Sequence, residues 1–313
     1  MTPTTAPIPL NALREAFGYR FQENVLLANY TTAQVGGTAD GLLVCNSMAE
    51  LENAGRALWQ LEVPFIILGS GANVLISDLG YRGVVIINRA RNVRIDDRDD
   101  PPTVWAESGA NLGTVSRQAA LRGLSGLEWA CTIPGTIGGA VVGNAGAFGG
   151  DVAGNLLLAE ILHPTQSKEV WRVEQLGYGY RTSVLKRKER QALVLAARMK
   201  LEHAEIKAVQ ARMAEYIEKR KTSQPPGASM GSMFKNPEGD HAGKLIEAAG
   251  LKGTRIGGAE ISRQHANFIV NTGHASASDV HRLILLAQQK VQEHSGIELE
   301  LEVELLGEWQ VNQ

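Results

Sequence analysis

The chain has 313 residues, enough for roughly two domains at about 150 residues each, and 44% hydrophobic against 20% charged residues excludes a disordered tail or a disulfide mini-scaffold. Lys and Arg (31) nearly balance Asp and Glu (33), so a net charge of −2 leaves no basic surplus for a nucleic-acid backbone. Glycine alone departs from average: 34 residues, about 11% against a usual share of about 7%, without collagen's every-third period.

Residues 1–10 hold neither a basic nor an apolar run, and nowhere do 18 apolar residues follow one another; no leader, no membrane span and a cytoplasmic location are expected. Residues 10–27 read as a short helix-rich arm. The first clear strand is the apolar run 63–68, followed by strands at 74–77, 84–88 and 103–106, with a turn at 96–102. Leu112, Val115, Ala119 and Leu121 predict a helix over 111–122, and 156–163, 169–173 and 192–201 read as further strands. Cys45 and Cys131 lack CxxC spacing and are expected to be reduced and buried.

Beyond His203 the texture changes. Ile206, Val209, Met213 and Ile217 share one face of a helix over 205–221, which ends in three cations suited to the negative end of the helix dipole. A loop follows over 222–231. A second helix runs from about 278 to 295, capped by Ser276 or Ser278 and stopped by Gly296. Ile297, Leu299, Leu301, Val303 and Leu305 then alternate with Glu298, Glu300, Glu302 and Glu304, which predicts a closing strand with four glutamates on one face. The domain cut is set near residue 203.

Eight glycines fall within 135–154, and Gly69 and Gly71 end the strongest strand. Both clusters could bring main-chain N–H groups to a diphosphate, and both could equally be tight turns. Neither is a GxGxxG turn into a helix, and no GxxxxGK[ST] occurs. The seven histidines, His241, His265 and His274 among them, show no paired spacing, so no metal is expected.

In order along the chain, Ile133-Pro134-Gly135-Thr136-Ile137-Gly138-Gly139-Ala140 with Asn144-Ala145-Gly146-Ala147-Phe148-Gly149-Gly150, Tyr180-Arg181-Thr182-Ser183, Gly231-Ser232-Met233-Phe234-Lys235-Asn236-Pro237 and His265-Ala266-Asn267-Phe268 resemble the UDP-N-acetylenolpyruvoylglucosamine reductase family. The likeness spans most of the chain and is closer to the family's shorter, second type. The glycine pattern taken alone resembles only the wider class of two-subdomain FAD-binding oxidoreductases, which includes oxidases that return electrons to oxygen.

The resemblance implies an α+β fold: an N-terminal arm (1–30), a two-subdomain FAD-binding module like that of vanillyl-alcohol oxidase (31–202) and a smaller α/β substrate-binding domain (203–313). It implies FAD as cofactor, NADPH as co-substrate and a UDP-sugar enolpyruvyl ether as substrate, with no nucleic acid, membrane or metal. Arg181, Ser232 and Glu302 match the family's catalytic residues. In isolation Arg181 reads as a surface arginine and Ser232 as a loop hydroxyl, and spacing cannot choose among the four glutamates; the family's Leu-Glu-x-Glu-Val selects Glu302. The implied cofactor contacts are Gly69, Ser70, Gly71, Asn73, Ile133, Pro134, Gly135, Gly138, Gly139 and Ala145, and the implied substrate contacts are Tyr180, Lys235, Asn236, Gln264 and His265. The chain departs from the family pattern at Ala228, Met230 and Leu301.

Overall fold

The computed structural model describes residues 7–165 and 167–309, so residues 1–6 of the expected leaderless start lie outside the described residues. The chain divides into two compact units, each discontinuous in sequence. Unit 1 comprises 1–42, 70–85 and 221–313, and unit 2 comprises 43–69 and 86–220. A single cut near 203 does not describe these units, because long-range pairing leaves no local mark in sequence: Val74–Ile76 runs parallel to Glu304–Leu306, in the register Val74 with Glu304 and Ile76 with Leu306. That pairing draws 70–85 into the unit of the C-terminal segment.

Unit 2 is built on a five-stranded antiparallel sheet in the order Lys168–Arg172, Leu156–Leu162, Leu193–Lys200, Thr103–Glu107, Val93–Asp96. Thr103–Glu107 is buried throughout, and Leu193–Lys200 is exposed only at Arg198 and Lys200. Helices Met48–Gln60 and Ile137–Gly143 pack on Leu193–Lys200, and the core around them includes Val104, Ile137, Ile161, Trp171 and Val194. The first helix comes so close that a Cβ on Gly55 would lie 2.4 Å from Leu193 Cδ1. The helix expected over 111–122 is Leu112–Ala120, its start capped by the Asn111 side chain accepting from the Thr114 N–H. The two packed helices had not been expected. Met48–Gln60 carries a readable start, with Ser47 accepting from the Glu50 N–H, whereas Ile137–Gly143 contains three glycines and runs against helix propensity.

In unit 1 the N-terminal arm holds helix Leu10–Phe17 and then strand Gln22–Leu26, which pairs antiparallel with Thr38–Cys45 from Gln22 opposite Leu42 to Leu26 opposite Thr38. Helix Ala277–Ser295 packs on the sheet Arg255–Ile256, Ala259–Ile261, Ile269–Asn271 and buries Val280, Leu283, Ile284, Ala287 and Val291. Ser276 is the cap, in a reciprocal box with Asp279, and Gly296 ends the helix in the left-handed region at φ 72°. Asp78 adds a remote clamp, accepting from the N–H groups of Ala277 and Ser278 (both 2.8 Å) and from the Ser278 hydroxyl (2.6 Å).

The closing strand differs from its alternating pattern. Only Glu304–Leu306 is in a ladder; Leu301 makes a single bridge to Phe234, and the chain bends at Val303 before meeting Val74–Ile76. Leu299, Val303 and Leu306 are the buried residues, and the four glutamates separate: Glu298 and Glu300 are exposed, Glu302 and Glu304 half-buried. A tertiary change of partner in mid-segment overrides the period of two.

Asp78→Ala strips three acceptor bonds from the start of the longest helix and is expected to lower the unfolding free energy by about 1 to 2 kcal/mol, read as an earlier urea midpoint at unchanged m value.

Candidate active site

The glycines of 135–150 in unit 2 fall into two sets. Gly138, Gly146 and Gly150 are packed: a Cβ on Gly138 would lie 2.9 Å from Ser108 Cβ, one on Gly146 would lie 2.7 Å from the Gly150 carbonyl oxygen, and one on Gly150 would run into Trp129 at 2.3 Å. Gly135, Gly143 and Gly149 instead face open space, and Gly135 (φ 154°) and Gly149 (φ 85°) also need backbone that side chains disfavour. Donors are similarly divided. The Ile137 and Gly138 N–H groups are bound to the Ala110 and Ser108 carbonyls, and Ala145 donates to Ala140 and accepts from Val152. Among the described residues no carbonyl accepts from the Thr136 or Gly139 N–H. Bare backbone on an open side with uncommitted N–H groups fits the diphosphate and flat ring of FAD. Of the residues singled out by sequence, Gly135 supplies the open backbone and Gly139 an N–H that no carbonyl accepts, whereas Gly138 and Ala145 shape the turn. Ile133 donates to the Ala130 carbonyl and Pro134 is exposed. Gly69 also belongs to this unit, and a Cβ there would strike Thr136 Oγ1 at 2.3 Å.

The same motif anchors the arginine loop. Arg181 sits at φ 57°, an uncommon region for a side-chain-bearing residue, and its neighbours over-determine it. Tyr178 Oη donates to the Val141 carbonyl (2.8 Å), Ser183 Oγ to Val142 (2.6 Å), Asn144 Nδ2 to Gly179 (3.1 Å), and Arg181 Nη2 itself to Gly146 (2.6 Å). Burial, with Asp151 nearby, pushes the Tyr178 phenol well above its usual range, so it stays a donor. Tyr180 is 53% exposed, and the Arg181 guanidinium carbon lies 5.2 Å from its ring centroid. Tyr178, Ser183 and Asn144 were not identified as site residues from sequence. Asn144, left-handed at φ 46° where Asn is tolerated, was the readable one.

In unit 1 the segment carrying Ser232 is paired along both edges. Glu302 N–H donates to the Met233 carbonyl and Lys235 N–H to the Glu300 carbonyl, both at 2.9 Å, while Ser232 bridges to Phe268. Ser232 and Glu302 are thereby on adjoining backbone, both half-buried. Asn73 joins them, its Nδ2 donating to the Glu302 carbonyl at 3.1 Å. Gly71 allows that approach from the 70–73 turn, since a Cβ at its φ of 61° would lie 2.2 Å from the Tyr30 carbonyl oxygen; Ser70, also of unit 1, precedes it. The Lys235 ammonium, 15% exposed, is ion-paired with Glu300, 72% exposed, so the glutamates divide into one partner of a lysine and one neighbour of the serine.

Three expected substrate residues already serve the fold. Asn236 Oδ1 accepts from the Ala242 N–H (3.1 Å) at the start of helix Ala242–Ala248, and Gln264 Nε2 donates to the Thr222 carbonyl (2.8 Å). His265 Nδ1 accepts from the Asn267 N–H (3.2 Å), and burial lowers the pKa of its imidazole, holding it neutral. Among the described residues there is no cluster of three His, Cys, Asp or Glu able to hold a metal, and no helix is long and apolar enough to cross a membrane.

An open glycine cradle with an arginine loop anchored to the same motif is the arrangement expected of an FAD-binding oxidoreductase. Residues 39–163 match the FAD binding domain family, and residues 220–306 match the family described as UDP-N-acetylenolpyruvoylglucosamine reductase, C-terminal domain. The chain is 42% identical over 299 residues to the UDP-N-acetylenolpyruvoylglucosamine reductase of Chloroflexus aggregans, covering 94% of this chain and 100% of that protein. It is 40% identical to the enzyme of the same name from Streptococcus pneumoniae, over 94% and 96% of the two chains. A crystal structure of the reductase from Thermus caldophilus is similar at 39% identity and a TM-score of 0.77, covering 90% of this chain and 98% of that one. The chain belongs to the UDP-N-acetylenolpyruvoylglucosamine reductase family. It is an FAD-binding oxidoreductase.

Tyr178→Phe removes one anchor of the arginine loop and is expected to lower reductase turnover about fivefold with bound FAD unchanged, measured as kcat against flavin content. Because burial keeps His265 neutral in the folded chain, the unfolded chain binds more protons below about pH 6.5, and stability falls as the pH drops through that value. His265→Gln should flatten that loss in pH-dependent urea titrations without abolishing it, since burial also lowers the pKa of His281.

Proposed function

We propose that the chain catalyses the NADPH-dependent reduction of the enolpyruvyl ether of UDP-N-acetylglucosamine to UDP-N-acetylmuramate, a step of peptidoglycan precursor synthesis, with Arg181, Ser232 and Glu302 as its catalytic residues. FAD, held by the open backbone at Gly135, Thr136 and Gly139, would supply the hydride chemistry that carries two electrons from NADPH to the terminal alkene carbon of the substrate. Negative charge then develops on the carbon beside the substrate carboxylate. Arg181 stabilises that enolised carboxylate, since a guanidinium keeps its charge and can donate two parallel bonds. Ser232 Oγ–H gives its proton to the same carbon, forming the C–H bond as the O–H bond breaks, and the Lys235 ammonium favours the resulting alkoxide until solvent reprotonates it.

The observation that carries this reading is the placement of Ser232 and Glu302 on paired backbone, through the 2.9 Å bond from Glu302 N–H to the Met233 carbonyl. Ser232 and Glu302, 70 positions apart in sequence, lie on adjoining backbone, which supports reading them as parts of one site. Thr136, Gly135 and Gly139 would hold the FAD diphosphate and ring, with Gly69 on the same unit; Tyr180, Lys235, Asn236, Gln264 and His265 are the proposed substrate contacts. The cytoplasm is the proposed compartment, and two buried cysteines without CxxC spacing suit its reducing conditions.

Ser232→Ala is expected to slow steady-state reduction of the enolpyruvyl sugar nucleotide by about a hundredfold or more, while NADPH still bleaches the flavin at the wild-type rate. Undiminished turnover in Ser232→Ala would contradict the assignment.

A further inference from the structure

Ser232–Lys235 is the middle of three backbone strips in unit 1. One neighbour, residues 300–303, is held by ordinary main-chain bonds. On the other side, next to the bridge from Ser232 to Phe268, Asn267 supplies three bonds. Asn267 accepts from the Met233 N–H through its main-chain oxygen (2.9 Å), accepts from the Phe234 N–H through Oδ1 (2.9 Å) and donates from Nδ2 to the Phe234 carbonyl (2.8 Å). Its amide side chain reproduces a peptide group, one donor beside one acceptor, and binds both polar groups of Phe234 as a neighbouring strand would. Asn267 is 3% exposed and Phe234 1%, so water cannot replace these bonds. Aspartate at 267 would lack the donor, and leucine would lack both.

We propose that Asn267 is a positioning residue for proton delivery: by clamping Phe234 it sets the line of the backbone that presents the Ser232 hydroxyl beside Glu302, without itself touching substrate. Its consequence for the reaction is one-sided. The hydride step from NADPH requires nothing of Ser232, whereas reduction of the enolpyruvyl ether ends on the serine proton. The inference rests on the reading of Ser232 as proton donor.

The test is stopped-flow measurement of the two half-reactions of FAD-loaded enzyme for wild type, Asn267→Leu, Asn267→Asp and Ser232→Ala, in H2O and D2O. Asn267→Leu is expected to bind FAD and to be bleached by NADPH at close to the wild-type rate. Its reoxidation by the enolpyruvyl sugar nucleotide should fall about ten- to a hundredfold, with a larger solvent deuterium isotope effect as protonation becomes limiting. Asn267→Asp, which keeps the acceptor, should show the same pattern more weakly, and it carries the test if the leucine variant does not fold. Equal slowing of both half-reactions, or slower reoxidation with an unchanged isotope effect and weakened substrate binding, would overturn the inference. Slow Ser232→Ala beside fast Asn267 variants would sink this inference and leave the serine assignment standing; fast Ser232→Ala would sink both.

Discussion

The bond from the Glu302 N–H to the Met233 carbonyl, at 2.9 Å, is the interaction on which the candidate chemistry of unit 1 depends. It holds the C-terminal segment against the serine-bearing strip, and its neighbours all serve the same registration: Lys235 N–H on the Glu300 carbonyl, Leu301 bridged to Phe234, and Asn73 on the Glu302 carbonyl. All but the Asn73 bond join main chain to main chain, so the pairing of 300–302 with 233–235 does not depend on which side chains stand at those positions. Leucine at 301, one of the departures from the family pattern, fits this, since the bridge to Phe234 is made by backbone.

Unit 2 solves a different problem, that of leaving room. Helix Ile137–Gly143 would be poor by propensity, yet it packs on Leu193–Lys200 and buries Ile137, Ala140 and Val141, with Gly138 tight against Ser108 and Gly143 facing open space. Its two last carbonyls but one, Val141 and Val142, then receive Tyr178 and Ser183, so the helix that keeps open space on one side fixes the arginine loop on the other. A non-glycine residue at positive φ, Arg181, is tolerated where four side-chain bonds hold the turn.

Much of this was legible in the residues, and the failures have physical causes. The helix ending at Gly296 and four strands of the five-stranded sheet, all but Val93–Asp96, follow from local period and capping, which do not depend on distant partners. Residues 297–305 kept a perfect alternation yet form only a three-residue ladder, because Leu301 and Glu304 pair with different parts of the chain. The discontinuity of unit 1 was invisible for the same reason. Periodicity could not separate Glu300 from Glu302, and the structure gives them different partners, the Lys235 ammonium for one and the Met233 carbonyl for the other's N–H. Asn267 and Tyr178 escaped notice because their value lies in the carbonyls and N–H groups they meet, which sequence does not display.

The most direct test of the account as a whole is anaerobic. Enzyme whose flavin has been reduced, freed of excess NADPH, is mixed without oxygen with the enolpyruvyl ether of UDP-N-acetylglucosamine while the visible flavin band is followed. The account predicts stoichiometric return of the oxidised band with formation of UDP-N-acetylmuramate; a flavin that stays reduced until oxygen is admitted would contradict it.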